Sequence, residues 1–206
     1  MYNCIFTGHC IHPVCDQSCP AWVETTYLLE RNKIPMSSEV FHADPAEISK
    51  CNKILDEAPN YNQNLCVVQT KQNTNTISNL LTYCGICRHW KGNQLKCSVY
   101  NLRLFQYLED IRKTWNNGGY ESEELEYTKL FCKNAKVLII SNIDYINFRN
   151  FECQTLLGLI QERSIDSEKS TIIVTPQLSS LIGDGGFYQT LMNMMSKARV
   201  DYDSKH

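Results

Sequence analysis

Glycine is scarce in this 206-residue chain: there are nine, and none lies between Gly8 and Gly85. That stretch lacks the residue that lets backbone amides crowd around a bound phosphate. An excess of one charge is lacking too, since 20 Lys and Arg face 22 Asp and Glu for a formal charge of -2 and a pI near 6.2. No overall basic field exists to hold nucleic acid by counterion release. Contact with single-stranded DNA must therefore be local, and weak on its own. Absent as well is any apolar run approaching the ~20 residues of a membrane span. The opening Met1-Tyr-Asn-Cys-Ile-Phe6 has no basic flank leading into an apolar stretch, so it does not read as a secretory signal. The expected location is the cytoplasm, with no membrane partner. With 43% hydrophobic and 20% charged residues the chain is not a disordered one, and its length allows one core plus a small appendage.

Cysteine, by contrast, is plentiful. Of eleven, only Cys4, Cys10, Cys15 and Cys19 are crowded together, with His9 and His12 interleaved and Pro13 and Pro20 stiffening the turns. In a reducing compartment such crowding points to metal and scatter points to small buried hydrophobes. Zinc takes four N or S donors at about 2.0 to 2.3 Å, and short spacers let one loop wrap the ion. The expected ligands are the four thiols, with His9 or His12 as alternates, and the alternative is four ordinary reduced cysteines. A closed protein shell would make the metal structural, supplying folding energy to a segment too short for a core of its own. Cys84-Gly-Ile-Cys87, with His89 and Cys97 nearby, reads differently. Cys84 falls on the apolar stripe Ile77, Leu80, Leu81, so packing is preferred to a second zinc or a redox pair.

Three regions follow from the patterning. Residues 1–34 carry the Cys/His cluster and a helix spanning Trp22 to Arg31, whose Trp22, Val23, Tyr27 and Leu28 recur at helical spacing. Residues 35–62 hold Pro35, Pro45 and Pro59 with polar filler, and read as a linker with one short helix from Ala46 to Leu55. Residues 63–206 alternate short apolar runs with amphipathic segments, the pattern of buried parallel strands joined by crossover helices, so the class is α/β. The expected strands are Leu65 to Gln69, Lys96 to Asn101, Ala135 to Ser141 and Ser170 to Thr175. The expected helices are Ile77 to Trp90, Leu102 to Trp115 and Phe151 to Arg163.

This order, with the strings Leu65-Cys-Val-Val-Gln-Thr-Lys-Gln-Asn-Thr-Asn-Thr76, Asn134-Ala-Lys-Val-Leu-Ile-Ile-Ser-Asn-Ile-Asp144 and Ser170-Thr-Ile-Ile-Val-Thr-Pro-Gln177, resembles the AAA+ domain of DnaC/DnaI-type helicase loaders. That group includes the IstB-like ATPase partners of some transposases. The resemblance implies a three-layer, P-loop-type parallel sheet, and the chain ends too soon for the separate lid domain. It also implies a nucleotide site whose parts can be checked one by one. A phosphate loop is GxxxxGK[ST], glycines for amide convergence and lysine for the β/γ oxygens. Aligned on Thr76, this chain has Gln69 and Thr74 at the glycines and Asn75 at the lysine. The acids that hold magnesium and activate water after the third strand are replaced by Ser141 and Asn142, with Asp144 two residues further on. The sensor position is Gln177, and the arginine-finger position near Thr190 holds no arginine. Lys71 is the one cation in the loop.

Losing cradle, lysine, acids and finger together removes most of the electrostatics that phosphoryl transfer needs. The expectation is a pseudo-ATPase, in which ATP binding is itself doubtful. The resemblance further implies a front-end domain that docks a hexameric helicase, with Trp22 and Tyr27 as anchors. Three functions follow. The first is a non-hydrolysing loader-like adaptor or inhibitor in a hetero-oligomer with a replicative helicase or an active AAA+ paralogue. The second is an adaptor of a transposition or phage-defence assembly from a mobile element or phage. The third is an atypical active ATPase.

Overall fold

A computed structural model describes residues 20–34, 43–90, 99–176 and 186–204. The Cys/His cluster (Cys4, His9, Cys10, His12, Cys15, Cys19) and Gln177 lie outside the described residues, as does the side chain of Trp22.

The elements run α1 (Pro20–Arg31), α2 (Pro45–Glu57), β1 (Leu65–Gln69), α3 (Thr74–Trp90), β2 (Val99–Arg103), α4 (Leu104–Asn116), α5 (Glu123–Asn134), β3 (Val137–Ser141), α6 (Asn150–Ser164), β4 (Ser170–Thr175), α7 (Gly186–Ser196) and β5 (Arg199–Asp201). All described strand pairings are parallel, in the order β2-β3-β4-β1-β5. The registers Leu65↔Thr171, Val137↔Ser170 and Val99↔Val137 bring the carboxyl ends of β1, β4, β3 and β2 to one side of the sheet. In an open parallel sheet that is the side on which ligands bind.

Strands buried on both faces read as continuous apolar runs, and alternate side chains feed two cores. Cys66, Val68, Ile139, Ile172 and Val174 meet Cys51, Ile54, Ile77, Leu81 and Cys84 from α2 and α3. Leu65, Val67, Leu138, Ile140 and Ile173 meet Leu108, Cys132, Leu156, Ile160 and Leu191 from α4 to α7. The result is three layers, helix on sheet on helix, as the α/β reading requires.

Helix α1 belongs to the first layer. Leu29 and Ile34 are fully buried against α2 and α3. The helix stops with Lys33 left-handed at φ 57°, while Ile34 N donates to Leu29 O at 2.9 Å and Lys33 N to Glu30 O at 2.8 Å. This is a Schellman close with its apolar residue tucked inward. Just before it, Asn32 Oδ1 accepts from Asn101 N at 2.6 Å, capping the outer edge of β2.

Three features differ from the sequence reading. Strand β2 runs on to Arg103, so Leu102 is a strand residue rather than the start of a helix. Two helices, not one, connect β2 to β3, hinged at Gly118 and Gly119, which take φ of 67° and 89°. The second of them, α5, is rich in acid and buries only Leu125 and Cys132, so its apolar period is faint. Finally, α7 and β5 add a fifth strand beside β1, where Val67↔Arg199 and Gln69↔Asp201 pair.

Candidate nucleotide-type site at the carboxyl edge of the sheet

Strand β1 ends at Gln69, four residues follow, and α3 begins at Thr74. The spacing is that of a phosphate loop, with Gln69 and Thr74 where its glycines stand and Asn75 and Thr76 in the first turn of the helix. The loop is anchored by Thr70 N donating to Thr175 O of β4 at 3.1 Å. What distinguishes it is the fate of its amides, the groups that would converge on phosphate.

The amides of Lys71, Gln72, Asn75 and Thr76 have acceptors inside the protein. Lys71 N donates to Asp203 Oδ2 at 2.5 Å, and the Thr70 hydroxyl donates to Asp203 Oδ1 at 3.2 Å. Gln72 N donates to Thr70 Oγ1 at 3.0 Å. Asn73 caps the helix: its Oδ1 accepts from Asn75 N at 2.9 Å and Thr76 N at 3.4 Å. An Asx residue before a helix does this because the first-turn amides have no intrahelical partner. Lys71 itself is exposed.

Ser141 and Asn142, which the sequence reading sets at the positions of the acids, follow at the end of β3. Ser141 is buried at the end of β3, and its hydroxyl donates to Asn101 Oδ1 of β2 at 2.9 Å. Its polar atom is spent inside the sheet. Asn142 is left-handed at φ 58°, and its Oδ1 is buried without a hydrogen-bond partner, as is Gln69 Oε1. Asp144 stands in the 3-10 turn after β3 and accepts from the Thr74 hydroxyl at 3.4 Å. The structure therefore brings Asp144 back to the head of α3, although by sequence count it stands too far along. Thr190, near which the sequence reading expects an arginine finger, bonds Gly186 O within α7 at 3.2 Å.

The site residues absent from the sequence reading are Asn73 and Asp203. Asn73 carries a local signal, an Asn placed just before an apolar-periodic helix. Asp203 carries none, because it lies 132 residues from the amide it contacts. Of the docking anchors, Tyr27 is 60% exposed on α1. Among the described residues no group of three His, Cys, Asp or Glu could hold a metal, and no helix is long and apolar enough to cross a membrane.

A second concavity, of about 270 Å³, opens on the α4–α6 side between Phe105, Arg112, Tyr145 and Arg149. Buried Glu152 forms its floor, paired with Arg112 and accepting from Arg149 N at 2.8 Å. Phe105 and Tyr145 are 43% and 63% exposed.

No protein-family model matches the chain, and no curated protein matches it in sequence. Among solved structures it is similar to the replication initiator DnaA bound to AMPPCP and single-stranded DNA, at TM-score 0.56 and 11% identity over 92% of this chain and 52% of that one. It is similar to domain III of Thermotoga maritima DnaA, at TM-score 0.55 and 16% identity over 79% of this chain and 65% of that one. Aquifex aeolicus DnaA bound to AMPPCP gives TM-score 0.53 and 10% identity over 91% of this chain and 51% of that one. The fold is that of an AAA+ domain. The chain spans about half to two thirds of the length of these structures.

Proposed function

We propose that this chain is a non-hydrolysing AAA+-type adaptor or inhibitor in DNA replication, acting in a hetero-oligomer with a replicative helicase or an active AAA+ paralogue. One observation carries the reading: the amides of Lys71, Gln72, Asn75 and Thr76 already donate to Asp203, Thr70 and Asn73. A triphosphate would have to displace these acceptors with neither glycine nor lysine to reward it. The acid positions agree, since Ser141 bonds within the sheet and Asn142 carries no charge. Likeness to AAA+ domains of replication initiators favours replication as the setting. The Cys4, Cys10, Cys15, Cys19 segment is the proposed structural zinc knuckle, on the strength of its spacing alone, and Tyr27, exposed on α1, is a proposed anchor.

The test is a pulldown with the intact tagged chain against the replicative helicase and AAA+ proteins of its own cell, with ATP present and absent. Stoichiometric, ATP-independent capture of one of them, weakened by Tyr27→Ala, is the expected result. Failure to retain any of them counts against the reading.

A second reading, an adaptor of a transposition or phage-defence assembly that touches single-stranded DNA, is favoured by the Phe105, Arg112, Tyr145, Arg149 cleft. Aromatic faces beside arginines hold bases and backbone together. DnaA was solved with single-stranded DNA bound. Salt-sensitive oligonucleotide binding lost in Arg149→Glu supports it, and binding unaffected by that change removes it.

A further inference from the structure

The last described turn, Asp201 to Ser204, reaches across to the loop between β1 and α3 and is itself held from several directions. Tyr202 N donates to Gln69 O at 2.8 Å, extending the β5–β1 pairing to the lip of the loop. Lys50 Nζ of α2 donates to Tyr202 O at 3.3 Å and lies 5.4 Å from its ring centroid. The Tyr202 hydroxyl lies 3.9 Å from Cys51 Sγ in the core. Asp203 N donates to Asp201 Oδ1 at 3.2 Å, and the Ser204 hydroxyl to Asp201 O at 2.8 Å. The side chain so positioned is Asp203, whose two oxygens divide between Thr70 Oγ1 and Lys71 N.

A carboxylate presents two adjacent anionic acceptors, much as a phosphate edge does, and a backbone amide meets either with a charge-assisted hydrogen bond. In cis it competes at high effective concentration, because the β5 pairing has already fixed its position. We propose that the 201–204 turn is a built-in latch: Asp203 occupies the anion position of the phosphate-type loop and excludes external anions from it. The latch is independent of which partner the protein serves. It assigns to Asp203 the role of an autoinhibitory contact, and to β5 the role of holding it there.

Backbone amide exchange of the intact chain tests this, together with titration of inorganic pyrophosphate followed by amide chemical shifts. In Asp203→Ala, exchange at Lys71 should accelerate about tenfold or more, while amides in β4 keep their wild-type protection. Pyrophosphate should then shift the amides of residues 70–73 in the variant and leave the wild type unchanged. Asp203→Asn, which keeps an oxygen but loses the charge, should fall between the two and serves where the alanine variant folds poorly. Equal exchange at Lys71 in all three proteins overturns the latch. So does a wild-type response to pyrophosphate equal to that of Asp203→Ala. Faster exchange with no pyrophosphate response reduces Asp203 to a structural tie and overturns the exclusion. Helicase capture by the wild type is a separate readout, so failure of the adaptor reading and failure of the latch are distinguishable.

Discussion

Gly85 sits in the Cys84-Gly-Ile-Cys87 turn of α3, and replacing it with alanine sets two known effects against each other. Alanine is favoured over glycine inside a helix by about 1 kcal/mol. The added Cβ would lie 2.8 Å from Val99 Cγ2 and 3.4 Å from Val99 Cγ1. Carbon atoms prefer about 3.5 to 4.0 Å, so α3 or β2 must move by several tenths of an ångström. Val99 is 1% exposed and β-branched, which leaves it little freedom to turn away. Overpacking of this kind costs about 1 to 3 kcal/mol, so the net expectation for Gly85→Ala is a loss of about 1 kcal/mol. Val99→Ala alone removes two buried methyl groups, at about 0.8 kcal/mol each plus a cavity cost. In the double variant the overpacking against Val99 is lifted and only the helix-propensity gain remains, so its destabilisation should be less than the sum by about 2 kcal/mol. Urea denaturation of the four proteins at constant m-value measures this cycle. A more stable Gly85→Ala, or strictly additive effects, would refute the close approach of α3 to β2. The glycine between the two cysteines is then explained by packing rather than by redox chemistry.

Burial pushes the Cys66 and Cys132 thiols up to about 12, with the Glu57 charge adding to the effect at Cys66 and the Arg163 charge opposing it at Cys132. Unfolded thiols ionise from about pH 8.5, so their contribution is complete below that value and is lost as pH rises toward 12, by up to about 1.4 kcal/mol per pH unit for each. Urea midpoints should fall from pH 8 to pH 10, and a flat profile contradicts the burial. Arg163 is 2% exposed and donates to Thr171 Oγ1 at 3.0 Å, Cys132 O at 2.6 Å and Ser170 O at 2.8 Å, tying α6 to α5 and β4. Arg163→Met keeps the volume but orphans those acceptors, and should cost about 3 to 5 kcal/mol by denaturation; a loss under 1 kcal/mol contradicts the clamp. Elemental analysis should find one zinc per chain, lost in Cys15→Ser plus Cys19→Ser, with the signals of α1 retained because Leu29 and Ile34 hold it to the body. Unchanged metal content removes the zinc knuckle.

How far the sequence could be read followed from how local each signal is. Strand β4, Ser170–Thr175, is buried at every position and its Thr171 to Thr175 form one unbroken β-branched run, which is why its ends match the sequence reading residue for residue. Strand β5 has three residues, two of them charged and exposed, and owes its existence to pairing with β1 far away in sequence. No window of residues around it carries that information. Helix α5 fails for a related reason: its acidic first turn is set by the Ser122 cap, which accepts from Leu125 N at 3.2 Å, while its buried side is only two residues wide. At the site, Gln69, Thr74, Asn75 and Thr76 fall where the loop spacing puts them, because a strand, four residues and a helix leave no slack. Asp144 shows the limit of counting along a chain, since the left-handed turn at Asn142 and the 3-10 turn after it carry the carboxylate back to Thr74.

On the proposed reading Asp203 and Asn73 take up the amides of the β1–α3 loop, and nucleotide is not turned over. Titration calorimetry of Mg-ATP into the intact chain, with released phosphate followed on the same samples, addresses it directly. No saturable heat and no phosphate above the protein-free blank are expected. Saturable binding accompanied by turnover that Asp144→Asn or Thr76→Ala abolishes would contradict it.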